Sequence, residues 1–238
     1  MQNDKNFLGT APIGKLLLKL SIPTVIAQLI NMLYNVVDRI YIGHIPGEGS
    51  LALTGVGVCM PIIMIVTAFA ALISSGGAPR ASICMGKQDN KSAEQILGNC
   101  FSLQIVVSIV LTVVLLIWNK DLLMAFGASK NTLGYATDYM RIYALGTLFV
   151  QLTLGMNAFI TAQGFTTTSM VSVLIGAICN ITLDPVFIFV FNMGVKGAAL
   201  ATVLSQAIST MWVVVFLSGK KTQLHLRKKY MGLKPKIF

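Results

Sequence analysis

The sequence predicts an all-α integral membrane protein, a bundle of six membrane-crossing helices. Three observations carry that expectation. Hydrophobic residues make up 55% of the 238 positions and charged residues only 11%, with a mean hydropathy of +0.77. A soluble domain of this length has no core large enough to hide so much apolar surface. Several apolar stretches run for about 20 residues, the length that crosses about 30 Å of hydrocarbon. Lysines and arginines also concentrate in alternate connections, as they do in cytoplasmic loops.

The spans run from Leu16 to Ile42, Leu51 to Ser74, Ile96 to Trp118, Tyr139 to Ala162, Ser169 to Phe191 and Gly197 to Leu217. Each apolar run is continuous, whereas a barrel strand alternates apolar and polar over about ten residues, so all six are expected to be helices. Lys5, Lys15 and Lys19 precede the first span. Arg80, Lys87 and Lys91 lie between the second and third, and Lys220, Lys221, Arg227, Lys228, Lys229, Lys234 and Lys236 follow the sixth. The other side has Lys120, Lys130 and Lys196, with Arg39 and Arg141 near helix ends. Both termini are therefore expected in the cytoplasm, with residues 1–15 as the N-terminus, 16–217 as the helical lobe and 218–238 as a basic tail. The one sizeable polar connection, Gly86 to Gln95, reads as a loop carrying a helix start, with Asn90 or Ser92 as caps before Glu94.

The net charge of +10 is mostly this topology signal. The tail offers charge but little else, which suits anionic lipid better than nucleic acid. Cys59, Cys84, Cys100 and Cys179 have no CxxC spacing. They read as small apolar fillers, three of them within helices. His44 and His225 stand alone near helix ends, so zinc and nucleophile constellations are lacking; neither an enzyme nor a bound cofactor is expected. The first apolar segment is too long for a cleavable signal. Gly55, Gly57, Gly76, Gly77, Gly155, Gly176, Gly194 and Gly197 suggest close helix packing. Met60, Met64, Met156 and Met193 fit either an adaptable pocket or core and lipid contacts.

Asp38 and Asp184 stand out because they lie in apolar segments, and an intramembrane acid marks a functional site by default. Asp184 is 15 residues beyond Ser169, about 22 Å along its helix. Asp38 is 22 residues beyond Leu16, about 33 Å along, so reaching the same level needs a tilt or a bend. Pro23 supplies a place to bend, by removing a helix hydrogen bond. Thr202, descending from the opposite side, reaches the level of the acids, while Asn180 and Tyr34 precede Asp184 and Asp38 by one turn each. This all-oxygen set suits a hard cation such as sodium, and burial without a fixed partner also favours proton uptake. Other readings stay open. Asp38 also fits an interfacial residue, Asp184-Pro185 a capped break, Pro23 a static kink, and Asn180, Tyr34 and Thr202 ordinary packing hydrogen bonds.

These segments, SIPTVIAQLINMLYNVVDRIYIG (Ser21 to Gly43), Arg80 to Gly86, NITLDPVFIF (Asn180 to Phe189) and GVKGAALATVLSQ (Gly194 to Gln206), resemble the multidrug and toxic compound extrusion (MATE) transporters, in particular the DinF-like prokaryotic branch. The resemblance runs from about Lys15 to Leu217. It implies exchange of sodium or protons for organic cations and other drugs across the cell membrane, by two six-helix lobes around a cleft. It also implies an ion pocket at Asp38, Asn180, Asp184 and Thr202, lined by Tyr34, with Pro23 as the bending point. The chain carries one lobe's worth of helices, so a second lobe is expected from a longer protein or a partner chain. A lipid-linked oligosaccharide flippase of the same superfamily is disfavoured because the helices hold no basic residues away from their ends. An inert membrane module is the remaining alternative.

Overall fold

The computed structural model describes residues 12–232; Lys5, Lys234, Lys236 and the rest of the two termini lie outside them. Six long helices dominate: α1 (Ile13–Gly43), α2 (Gly49–Gly86), α3 (Asn90–Ile117), α5 (Leu133–Ala162), α6 (Thr166–Pro185) and α7 (Val195–Ser218). A short α4 (Asn119–Ala125) follows α3, a π-helical turn (Val186–Val190) extends α6, and a 3-10 turn spans Lys228–Tyr230. All six long helices are long and apolar enough to cross a membrane. Both described ends therefore lie at one face of the bundle, called here the terminal face.

The helices extend beyond their apolar cores. Arg80 lies inside α2, and Lys15 and Lys19 inside α1. The predicted ten-residue connection after the second span is only Lys87 to Asp89, because α2 runs to Gly86 and α3 begins at Asn90. The expected caps Asn90 and Ser92 give way to Asp89, whose carboxylate accepts from Ser92 N at 3.0 Å. That bond, with the Ser92 hydroxyl, holds the exposed Asp89 carboxyl below the usual carboxylate range. An acid here also faces the positive end of the helix.

Helix α5 is the spine, packing against α2, α3 and α7, whereas α1 packs chiefly on α6 and far less on α2. The core has two zones. Near the face opposite the termini, Ile42, Val56, Ile62, Met140, Tyr143 and Ile188 pack together; toward the terminal face, Ile73, Leu97, Met156, Phe159, Val213 and Leu217 do so. In lipid no hydrophobic force drives helices together, so close approach and interhelical hydrogen bonds must hold them. A Cβ on Gly77 would collide with Cys100 Sγ, and one on Gly55 would sit 2.9 Å from Tyr135 Cβ. Gln151 Nε2 donates to Val66 O at 2.7 Å, Thr112 Oγ1 to Ala144 O at 2.9 Å, and Thr153 and Thr210 hydroxyls meet at 2.7 Å. Not every glycine packs as expected. Gly57, Gly76 and Gly194 face open space, and Gly194 instead supplies a positive φ of 54° in the turn before α7. All four cysteines, rather than three, lie in helices, and all are free thiols.

The segment after α7 folds back onto the lobe instead of leaving it. Gln163, just past α5, accepts through Oε1 from Thr222 Oγ1 (2.8 Å), Gln223 N (2.9 Å) and Leu224 N (2.9 Å). Leu224 is fully buried. Nearby, the buried Glu94 of α3 pairs with Arg227 Nε at 3.0 Å and His225 Nδ1 at 3.4 Å. His225 is therefore not the isolated residue the sequence suggested.

Two substitutions test this packing. Gly77→Leu overpacks the α2–α3–α5 contact and is expected to cost about 1–3 kcal/mol, whereas Gly76→Leu is near neutral; thermal unfolding in detergent distinguishes them. Gln163→Leu strands the donors of the folded-back segment at a cost of about 1–3 kcal/mol, and faster amide exchange confined to residues 222–226 is the expected signature.

Candidate functional site

The site forms where the far ends of α1, α6 and α7 meet α5. Pro185 has no N–H to continue the α-helical ladder, and the chain passes into the π turn directly after Asp184. The first turn of α7 presses on that π turn: a Cβ on Gly197 would lie 2.7 Å from Phe187 C. This close approach brings Thr202 to α6. Asn180 Nδ2 donates to Asp184 Oδ1 at 3.3 Å and to Thr202 Oγ1 at 3.5 Å. From α1, the Asp38 carboxyl comes within hydrogen-bonding reach of the Asp184 carboxyl. Asp184 is fully buried, with Asn180 2% and Asp38 8% exposed. Asp38 thus reaches the level of Asp184 on a helix that is unbroken through Pro23.

Three oxygens in this cluster, Asp38 Oδ1, Asn180 Oδ1 and Asp184 Oδ2, are buried without a hydrogen-bond partner. Buried polar atoms are nearly always satisfied, so such a group marks a place for a proton, an ion or water. Among the described residues neither acid forms an ion pair with a lysine or arginine; Arg39 is exposed beside Asp38. Two adjacent carboxylates repel unless a positive charge lies between them. The donors are carboxylate, amide and hydroxyl oxygens, suited to a proton or a hard cation. No group of three or more His, Cys, Asp or Glu side chains able to hold a metal occurs among the described residues.

Every residue that the sequence placed in the pocket is found there or beside it. Tyr34 is close enough to interact with both acids. Pro23 is elsewhere, 15 residues before Asp38 and thus about 22 Å nearer the terminal face. One participant was not foreseen: Tyr139 of α5, whose hydroxyl lies within hydrogen-bonding reach of Thr202 and in the field of Asp38. Its ring stacks on Tyr143 with centroids 6.3 Å apart. No local signal in the sequence distinguishes Tyr139, which stands at a predicted span boundary. The polar stripe of α1 was visible, since Gln28, Asn31, Asn35 and Asp38 recur at helical spacing.

A cleft of about 730 Å³ opens beside Asp38, between α1 and α2 and floored by α5 and α7. Met60 and Met64 line it, together with Tyr34, Tyr139 and Thr202; Met156 is instead in the core and Met193 is partly exposed. Arg39 is the one cationic residue in its wall.

The sequence and the fold are both similar to known proteins. The chain is 28% identical over 224 residues to the multidrug export protein MepA of Staphylococcus haemolyticus, an alignment covering 94% of this chain and 49% of that protein. Two solved structures superpose on the fold. One, described as MATE in the bent conformation, has a TM-score of 0.85 at 26% identity over 94% of this chain and 50% of its own. The other, MATE in the straight conformation, has 0.89 at 25% identity over 100% and 52%. The chain thus spans about half the length of the curated relatives it matches. The MatE family model covers residues 23–186, and with six apolar helices around this buried pair of acids, the chain is a multi-pass membrane protein belonging to the MatE family.

Proposed function

We propose that this chain is the N-terminal lobe of a cation-coupled multidrug exporter, with Asp38, Asn180, Asp184 and Thr202 as the ion site and Tyr34 in its wall. The observation that carries the reading is the contact of two buried acids whose remaining oxygens lack partners. A sodium ion or proton entering there offsets one of the two carboxylate charges, which removes the direct repulsion between the acids and lets α1 close on α6. Because α1 forms one wall of the cleft and packs little on α2, its position changes the shape of the space open to a drug. Pro23 is the natural bending point, since it interrupts the ladder in a helix lightly held by its neighbours. Such a cycle couples only if the ion binds the two positions of α1 with different affinity.

The wall of the cleft combines Met60, Met64 and Leu154 with Tyr34, Tyr139, amides and the acid Asp38, and holds a single cation, which suits amphipathic organic cations better than an anionic pyrophosphate. A second six-helix lobe, from the same protein or another chain, completes the cavity. The distribution of lysine and arginine favours termini in the cytoplasm of a cell-membrane protein, with the basic residues after α7 against anionic lipid.

In an assembly containing this lobe, Asp184→Asn is expected to reduce ion-driven extrusion of a fluorescent organic cation at least tenfold; a wild-type rate would refute the role given to Asp184. Thr202→Val separates the two candidate ions. It removes a neutral oxygen ligand, so sodium-driven extrusion is expected to shift to at least tenfold higher sodium, whereas proton-driven extrusion is left within about twofold.

A further inference from the structure

The wall of the cleft carries a charge that the ion site does not use. Arg39, one position beyond Asp38 on α1, lines the cleft as its single cationic residue among those described. It precedes the helix end at Gly43 by four residues, and so lies about 6 Å from the end of α1 at the face opposite the termini. Two rows of side chains run along this part of α1. Leu29, Leu33, Val36 and Ile40 form an exposed apolar row, the surface open to lipid. Gln28, Asn35 and Arg39, spaced by seven and four residues, form another, and all three line the cleft. Arg39 therefore continues the amide row rather than the lipid-facing one.

No acid holds this guanidinium. Arg39 is exposed, and it forms no ion pair among the described residues. Asp38 is the one acid in the cleft wall, but neighbouring helical residues diverge by about 100°, and the Asp38 carboxyl is drawn to that of Asp184. A cleft built for positive charge alone gains nothing from a cation in its wall, because like charges repel and a poorly solvated setting strengthens the repulsion. The rest of the wall suits a flat, hydrophobic ring system. Met60 and Met64 stand one turn apart on α2, and Tyr139 and Tyr143 lie on α5 with their rings stacked. Thioethers adapt to irregular apolar shapes, and aromatic faces attract a delocalised positive charge. The guanidinium adds the complementary element, a planar fork of N–H donors that matches a carboxylate.

We propose that Arg39 is a specificity-determining residue of the cleft, receiving the carboxylate of aromatic organic cations that also carry one, so that zwitterions are selected among them. The inference rests on the drug-cleft reading given above and names the substrate class that this cleft prefers. Adjacent positions of one helix then serve different ligands, Asp38 the coupling ion and Arg39 the substrate. The division has an electrostatic consequence. With a cation in the acid pair, a simple drug cation meets both that charge and Arg39, whereas a zwitterion brings a carboxylate that offsets the guanidinium.

Tetramethylrhodamine, a zwitterion with a free carboxylate, and its ethyl ester, a cation with the same rings, isolate the group in question. Binding of each dye to the assembly containing the full chain, in non-ionic detergent, is followed by fluorescence anisotropy against the same micelles without protein. Arg39→Gln is expected to weaken binding of the acid by about tenfold or more, while the ester tightens or changes by less than about twofold. Arg39→Lys keeps the charge and loses the fork, and is expected to recover part of the affinity for the acid. Equal weakening of both dyes by Arg39→Gln means that Arg39 supports the fold or the shape of the cleft, and overturns the proposal. Unchanged affinity for both overturns it too. So does a gain for the ester with no loss for the acid, since Arg39 then only repels positive charge. The underlying readings fail separately. Wild-type extrusion by Asp184→Asn removes the ion site and leaves the acid-to-ester ratio to be read, whereas failure of both dyes to bind the wild-type assembly removes the drug cleft and the role of Arg39 together.

Discussion

Everything distinctive about this lobe follows from two carboxyl groups held against each other in a setting that cannot solvate them. Asp184 has no exposed surface and Asp38 very little, and no basic side chain pairs with either among the described residues. In a low-dielectric bundle the repulsion between them is far stronger than in water. Most buried charges are tolerated because a fixed partner offsets the desolvation. Here the partner's place is taken by Asn180 and Thr202, neutral groups that orient the acids without neutralising them. Asp38 Oδ1 and Asp184 Oδ2 are left without a hydrogen-bond partner.

The distribution of packing matches that demand. Helix α5 is gripped on three sides by α2, α3 and α7, and it carries Tyr139 into the site from a stationary frame. Helix α1 carries Asp38 but leans mainly on α6, and much of its apolar surface is open, including Leu17, Leu18, Met32 and Leu33. Of the two helices that carry the acids, α6 packs on α7 as well as on α1, whereas α1 has little beyond α6 to hold it. A change in charge between them acts on the element with least packing to lose. The same helix forms one wall of the cleft.

The folded-back segment after α7 contributes rigidity of another kind. Gln163 offers one carbonyl oxygen to three donors, and Glu94 ties in Arg227. Arg227 is thus anchored against α3, and the backbone at residues 222–224 against the residue that follows α5.

Composition and run length alone determined the membrane class, the six helices and their order, because a crossing helix needs a long apolar stretch and nothing else in the chain competes with that signal. Counting residues along the helices also put Asp184 and Thr202 at one level with Asn180 a turn away, and made Asp38 and Tyr34 depend on a tilt or bend of the first helix, since helical rise is nearly constant. Depth is not azimuth, however. Whether those side chains turn toward one another depends on helix rotation and contact, and these were set by Gly197 against the π turn and by α1 seated on α6. Tyr139 entered the site for the same reason. Its position at a span boundary carries no local mark, and only the packing of α5 brings its hydroxyl to Thr202. The helix extensions past the apolar cores, the Asp89 cap and the return of residues 219–230 were likewise decided by tertiary hydrogen bonds and polar ends, on which hydropathy is silent.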